Sequence, residues 1–223
     1  MEHRIHIIVG HYGSGKTEFA INYALALKKH FKTVYIVDLD IVNPYFRTND
    51  VKEKLEKMGL SVIASPYASS NVDIPALPPD IFKVFSDESS AVVFDVGGDD
   101  DGAGALGRYK QYFDAETPEM LFVINPYRPL TAERDQIIEM IRSIEAVSRQ
   151  KVTGLVNSAN LAGLTTKEET MTGRRVTESV SQATGIPYLY TAVTPEVLAQ
   201  LPQEASDFTK TLFTIQRFMA LNF

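Results

Sequence analysis

Short apolar runs rich in β-branched residues alternate with longer stretches of helical period along the chain. Seven runs read as strands: His6 to Val9, Thr33 to Val37, Ser61 to Ala64, Ala91 to Val96, Met120 to Ile124, Val152 to Val156 and Tyr188 to Ala192. Helical patterns fall between them, at Lys16 to Lys29, Phe46 to Met58, Pro79 to Phe85, Thr131 to Arg149, Lys167 to Ala183 and Asp207 to Ala220. Gly59 and Gly185 stand where two of these helices should stop. Such alternation predicts an α/β domain with a largely parallel sheet covered by helices on both faces, and no repeat or linker divides residues 1–223. Two stretches read as loops: Ser65 to Pro78, rich in Ser and Pro, and the glycine-rich Gly97 to Gly107 with its three consecutive aspartates. Apolar positions from Phe208 to Phe223 recur near helical spacing. With only Lys210 and Arg217 as basic residues there, packing on the sheet is favoured over docking on a membrane.

The first strand runs into Gly10-His11-Tyr12-Gly13-Ser14-Gly15-Lys16-Thr17, which fits G-x-x-x-x-G-K-[ST] between a strand and a helix. In that context the glycines let successive backbone N–H groups converge on phosphate, and the helix adds its positive N-terminal end. Lys16 is expected to reach the β- and γ-phosphates, and Thr17 to place its hydroxyl on Mg2+.

Two other strands end in acid. Thr33 to Val37 leads into Asp38-Leu39-Asp40, and Ala91 to Phe94 leads into Asp95-Val96-Gly97-Gly98. Ligands of open parallel sheets lie beyond the carboxyl ends of strands, so these residues are placed for chemistry. Asp95 reads as a Walker B carboxylate for Mg2+, and Gly98 as a backbone donor to a γ-phosphate. Asp38 and Asp40 are two apart and face one way in an extended segment; one is expected near the metal and the other at the attacking water.

Composition narrows the remaining options. With 28 acidic against 22 basic residues, the chain carries a net charge of -6, which disfavours a surface that neutralises nucleic-acid phosphates. The absence of cysteine excludes disulfides, zinc-thiolate sites and thiol catalysis, and the four histidines are scattered. No signal-peptide pattern or apolar run of membrane-spanning length occurs, so a cytoplasmic location is expected.

Taken together, the phosphate loop, the Asp38-x-Asp40 strand end and the Asp95-x-x-Gly98 element resemble the MinD/ParA/CobQ/CobB superfamily of P-loop ATPases. The resemblance implies a sheet of about seven strands, ATP or ADP with Mg2+ as cofactors, and often a nucleotide-dependent homodimer or a protein partner. It further links an Asp at the place of Asp40 to water activation and one at the place of Asp38 to the metal. Members with the deviant loop begin it with a lysine that reaches the partner's nucleotide, whereas this chain has His11 followed by Tyr12, without a permanent charge. Arg47 could supply that charge instead, though an ordinary surface ion pair is the favoured role. Similar proteins read the base after the sixth strand, here Asn157-Ser158-Ala159-Asn160, where a carboxamide suits adenine better than guanine. Asn157 is the expected reader, with backbone near Pro195 completing the pocket. The leading expectation is an ATPase switch. Alternatives are a ligase or kinase acting on a small-molecule acceptor, of the dethiobiotin or cobyrinate type, and an ATP sensor without turnover.

Overall fold

A computed structural model describes residues 3–39, 48–64, 80–98, 100–201 and 207–219. Eight strands form one sheet: β1 (Ile5–Val9), β2 (Val34–Leu39), β3 (Ser61–Ala64), β4 (Ala91–Val96), β5 (Glu119–Ile124), β6 (Gly154–Asn157), β7 (Tyr188–Val193) and β8 (Leu212–Thr214). Every pairing is parallel, in the order β3-β2-β4-β1-β5-β6-β7-β8. The chain builds outward from β1 through β2 and β3, returns with β4, and then crosses to β5 on the other side. Strand order therefore reverses at β1, and the crevice beyond its carboxyl end is where such sheets take ligands.

The helices are α1 (Lys16–Leu27), α2 (Lys52–Lys57), α3 (Ile81–Ser86), α4 (Asp100–Gly107), α5 (Lys110–Glu116), α6 (Arg134–Ser148), α7 (Lys167–Thr184), α8 (Pro195–Leu198) and α9 (Asp207–Thr211). One face of the sheet packs Phe94 and Phe122 against Leu106, Phe113, Ile141 and Val180. On the other, Ile8, Ile36 and Val93 meet Phe19, Ala24 and Leu27 of α1 with Leu55 of α2. Because both faces are covered, all five residues of β1 and all six of β4 are buried, which is why these strands read as apolar runs broken only by His6 and Asp95. The long α7 begins with a capping box: Thr166 accepts from the Glu168 N–H while Glu169 accepts from the Thr166 N–H at 2.7 Å. It stops at Gly185, whose φ of 76° suits glycine, as Gly59 does at 84° after α2.

Three expectations change. The glycine-rich stretch is largely the helix α4, not a loop: a Cβ on Gly102 would lie 2.6 Å from Gly97 Cα, so bare backbone lets the helix pack directly on the end of β4. The helix expected from Asp207 to Ala220 ends at Thr211, and the chain continues as β8, which among the described residues adds an eighth strand to the about seven expected. Phe213 and Ile215 both pack on the α1 side, a period of two that the surrounding apolar residues obscured. Finally, the Phe46 to Met58 pattern is split, with a 3-10 turn at Thr48–Val51 before α2. Among the described residues, no helix is long and apolar enough to cross a membrane.

Candidate functional site: the phosphate loop

Directly after β1, the chain turns through Gly10, Gly13 and Gly15 with φ of 143°, 72° and 91°, a left-handed sequence open to glycine and strained for other residues. The turn delivers Lys16 as the first residue of α1. Its curl is closed internally, with Ser14 N–H donating to His11 O at 3.1 Å and Lys16 Nζ donating to the same carbonyl at 3.1 Å. Lys16 is 6% exposed, and the fully buried Ser14 Oγ has no hydrogen-bond partner among the described residues. The His11 ring stays local, Nδ1 lying 2.8 Å from Tyr12 O, while Tyr12 itself is half exposed.

Strand register brings the carboxylates together. Asp38 on β2 is the direct partner of Asp95 on β4, and Asp95 that of Ile8 on β1. Counting by twos from Ile36 and Val93, both side chains face the α1 side of the sheet. Each is buried, and Thr48 Oγ1 donates to Asp95 Oδ2 at 2.9 Å. Two adjacent carboxylates withdrawn from water offer hard oxygen donors of the kind that suits Mg2+, and Thr17 stands in the first turn of α1. Gly98 lies against the loop: a Cβ there would sit 2.5 Å from Tyr12 N and 2.9 Å from Lys16 Nζ. Asp40, Arg47 and the Ser65 to Pro78 stretch lie outside the described residues.

From the other flank, the turns after β5 and β6 hold the loop through Ser158 and Asn160 and through Arg128 and Asn125, which the sequence pattern does not mark. Arg128 Nε donates to Gly13 O at 2.9 Å, and Asn125 Nδ2 donates to Asn160 O at 3.1 Å. A Cβ on Gly15 would lie 2.7 Å from Ser158 Oγ, so the β6 turn is packed on the loop's last glycine. Asn157, the expected base reader, is engaged by the polypeptide in this structure. It is 1% exposed, its Nδ2 donates to Thr170 O at 3.0 Å, and its Oδ1 accepts from Ala159 N–H at 3.0 Å, which makes it the buried brace of the turn. Asn160 Nδ2 donates to Ser158 O at 2.8 Å. Pro195 is exposed at the start of α8, beyond the carboxyl end of β7.

The C-terminal segment reaches the same helix. Glu18, next to Thr17, accepts from the Phe218 N–H at 2.9 Å and the Met219 N–H at 2.7 Å, and Asn22 exchanges two 2.8 Å bonds with the backbone of Gln216. Burial raises the Glu18 carboxyl above its ordinary range, in part offset by those two N–H groups.

No family model and no curated protein matches the chain. Solved structures do resemble it. Cell division protein FtsY from Thermotoga maritima superposes with a TM-score of 0.60 at 19% identity, covering 90% of this chain and 64% of that one. FtsY from Mycoplasma mycoides gives 0.59 at 17% identity, with 94% and 66% coverage. Signal recognition particle receptor FtsY from Elizabethkingia anophelis in complex with GDP gives 0.52 at 17% identity, with 90% and 59% coverage. The chain thus spans about three fifths to two thirds of the length of these neighbours, and the likeness establishes the P-loop NTPase fold.

Proposed function

We propose that the chain is a Mg2+-dependent nucleoside triphosphatase, with ATP as its substrate, whose turnover switches a homodimer or a complex with a protein partner. The observation that carries this reading is the meeting, at the reversal point of the sheet, of a left-handed glycine loop on the α1 N-terminus with the paired Asp38 and Asp95. The N–H groups of residues 13–17 hold the phosphates, and Lys16 exchanges the His11 carbonyl for phosphate oxygens. Thr17, Asp38 and Asp95 hold the metal, which supplies neutralisation of charge on the β- and γ-phosphates. Gly98 offers its N–H to the γ-phosphate, a hydrogen bond that ends when that phosphate leaves. Asp40 orients the attacking water, in line with its place in the sequence motif.

With Asn157 engaged by the polypeptide, the base falls to Asn160 Oδ1 and the backbone near Pro195. A single carboxamide oxygen suits the adenine amino group; the adjacent N1–H and N2–H of guanine call for a carboxylate. The GDP in one structural neighbour favours GTP as the second reading. Phosphate release from ATP and from GTP, each with Mg2+ or with a chelator, separates the two. We expect ATP turnover only with Mg2+, reduced at least about 100-fold in Lys16→Ala, which removes charge-assisted hydrogen bonds to two phosphates. Equal activity in Lys16→Ala and wild type would overturn the reading. Marked stimulation by a carboxylate metabolite would replace hydrolysis with phosphoryl transfer to an acceptor.

A further inference from the structure

The phosphate loop carries no permanent cation besides Lys16, since His11 and Tyr12 occupy its opening positions. A second cation is nevertheless built onto it from elsewhere in the fold. Arg128, in the turn after β5, donates Nε–H to Gly13 O at 2.9 Å, and its guanidinium lies along the Gly13 Cα, with Nε, Cδ and Cζ at 2.9, 3.4 and 3.5 Å from where a Cβ would stand. Its backbone is fixed at both ends: Arg128 N–H donates to Asn125 O at 3.2 Å and Arg128 O accepts from Thr131 N–H at 3.0 Å. Asn125 O also accepts from Thr131 Oγ1 at 2.7 Å, so the turn is rigid before any ligand arrives. Among the described residues, Nη1 and Nη2 make no hydrogen bond and no ion pair.

Gly98 and Arg128 therefore grip residues 12–13 from opposite flanks, Gly98 from the end of β4 and Arg128 from the end of β5. Residues 12–13 also lie against Gly98, whose N–H is assigned above to the γ-phosphate, so a cation held on them stands on that side of the loop. Adding the 3.5 Å from Cζ to the Gly13 Cβ position, about 2.5 Å from there to the amide nitrogen and about 2.9 Å for its hydrogen bond, a phosphate oxygen on Gly13 N–H lies within about 9 Å of the guanidinium carbon. We propose that Arg128 is an intramolecular arginine for the terminal phosphate: it orients the Gly13 peptide through Nε and places its charge beside the γ-phosphate, distinguishing triphosphate from diphosphate. The inference rests on the nucleotide site proposed above, and extends it by naming the residue that senses the third phosphate. Arginine supplied in cis is an established way to stabilise charge in phosphoryl transfer.

The test compares wild type, Arg128→Ala and Arg128→Lys in fluorescence titrations with ADP and with a non-hydrolysable ATP analogue, together with turnover and the melting temperature of the ligand-free protein. Expected in Arg128→Ala are an ADP affinity within about 3-fold of wild type, a loss of about 10-fold or more in affinity for the analogue, and a kcat lower by about 100-fold, with melting unchanged and Arg128→Lys partly restoring analogue affinity. Equal losses for both nucleotides, or losses that track a lower melting temperature, would show a purely structural arginine and overturn the inference. If wild type binds nucleotide without turning it over, the hydrolase reading fails while the ratio of the two affinities still decides the role of Arg128. Should wild type bind neither nucleotide, both fall.

Discussion

Replacing Gly98 by alanine tests the site with one methyl group. The new Cβ would stand 2.5 Å from Tyr12 N, 2.9 Å from Tyr12 Cα and 2.9 Å from Lys16 Nζ. Ordinary van der Waals separations begin at 3.4 Å, so loop and strand end must separate by roughly 0.9 Å, the difference between 3.4 and 2.5 Å. The lysine tip can swing away, but the Tyr12 amide belongs to a turn fixed by the Ser14 to His11 bond and by Arg128. Overpacking of this kind costs about 1–3 kcal/mol, and a displacement near 1 Å at a catalytic constellation costs up to about 100-fold in rate. We therefore expect Gly98→Ala to bind a fluorescent ATP analogue about 10- to 100-fold more weakly and to turn over ATP about 100-fold more slowly. Gly104→Ala is the control: its Cβ would meet only Val147 Cγ1, at 3.5 Å, so binding should match wild type while α4 gains up to about 1 kcal/mol of helix propensity. Wild-type affinity and rate in Gly98→Ala would refute the placement of this glycine at the phosphates.

Other consequences are more local. The Glu119 carboxyl would be raised by burial, but bonds from His6 and Tyr23 hold it below its ordinary 4.5; the stability it contributes is thus present above pH 4.5 and lost as pH falls through the lower folded value. Urea denaturation across acid pH should show a flatter acid limb in Glu119→Gln, and an unchanged slope would contradict that. Gly173→Ala should destabilise by a few kcal/mol, about 2–4, because a Cβ would stand 2.2 Å from Asn157 Oδ1 and 2.4 Å from Ala159 Cβ; a melting temperature equal to wild type would show that α7 moves freely off β6. Phe213→Ala removes the ring that packs 5.4 Å from Phe19 and 5.8 Å from Tyr190, and should cost about 2–3 kcal/mol in chemical denaturation for a half-buried aromatic. Glu18→Ala leaves two backbone N–H groups without their acceptor, so amide exchange at Phe218 and Met219 should accelerate well beyond that of the sheet core.

What the sequence disclosed is what contiguous residues specify. The Gly10 to Thr17 loop carries its chemistry in eight neighbouring positions, and β3 and β4 fall on the expected residues, β4 because a strand buried along its whole length is apolar except for Asp95. The acidic strand ends were visible too, but their adjacency depends on β4 inserting between β1 and β2, which chain order alone does not dictate. Arg128 and Thr48 act on partners 115 and 47 residues away, so no local spacing marks them. Composition misled at Gly97 to Gly107, where glycine signals a breaker in isolation but here serves close helix-to-strand packing. It misled again after Thr211, where pairing with β7 overrides helical spacing. For Asn157 the sequence shows a carboxamide at a strand end but not its bonds to Thr170 and Ala159, because the first of these partners comes from α7.

Whether the turn after β1 holds nucleotide phosphates can be read from isothermal titration calorimetry of this chain with ATP in excess Mg2+. One binding event per chain is predicted, abolished in Lys16→Ala while the circular dichroism spectrum is retained. A folded wild-type protein that gives no binding heat with either ATP or GTP, at any concentration up to the millimolar range, would show that this turn is not a nucleotide site.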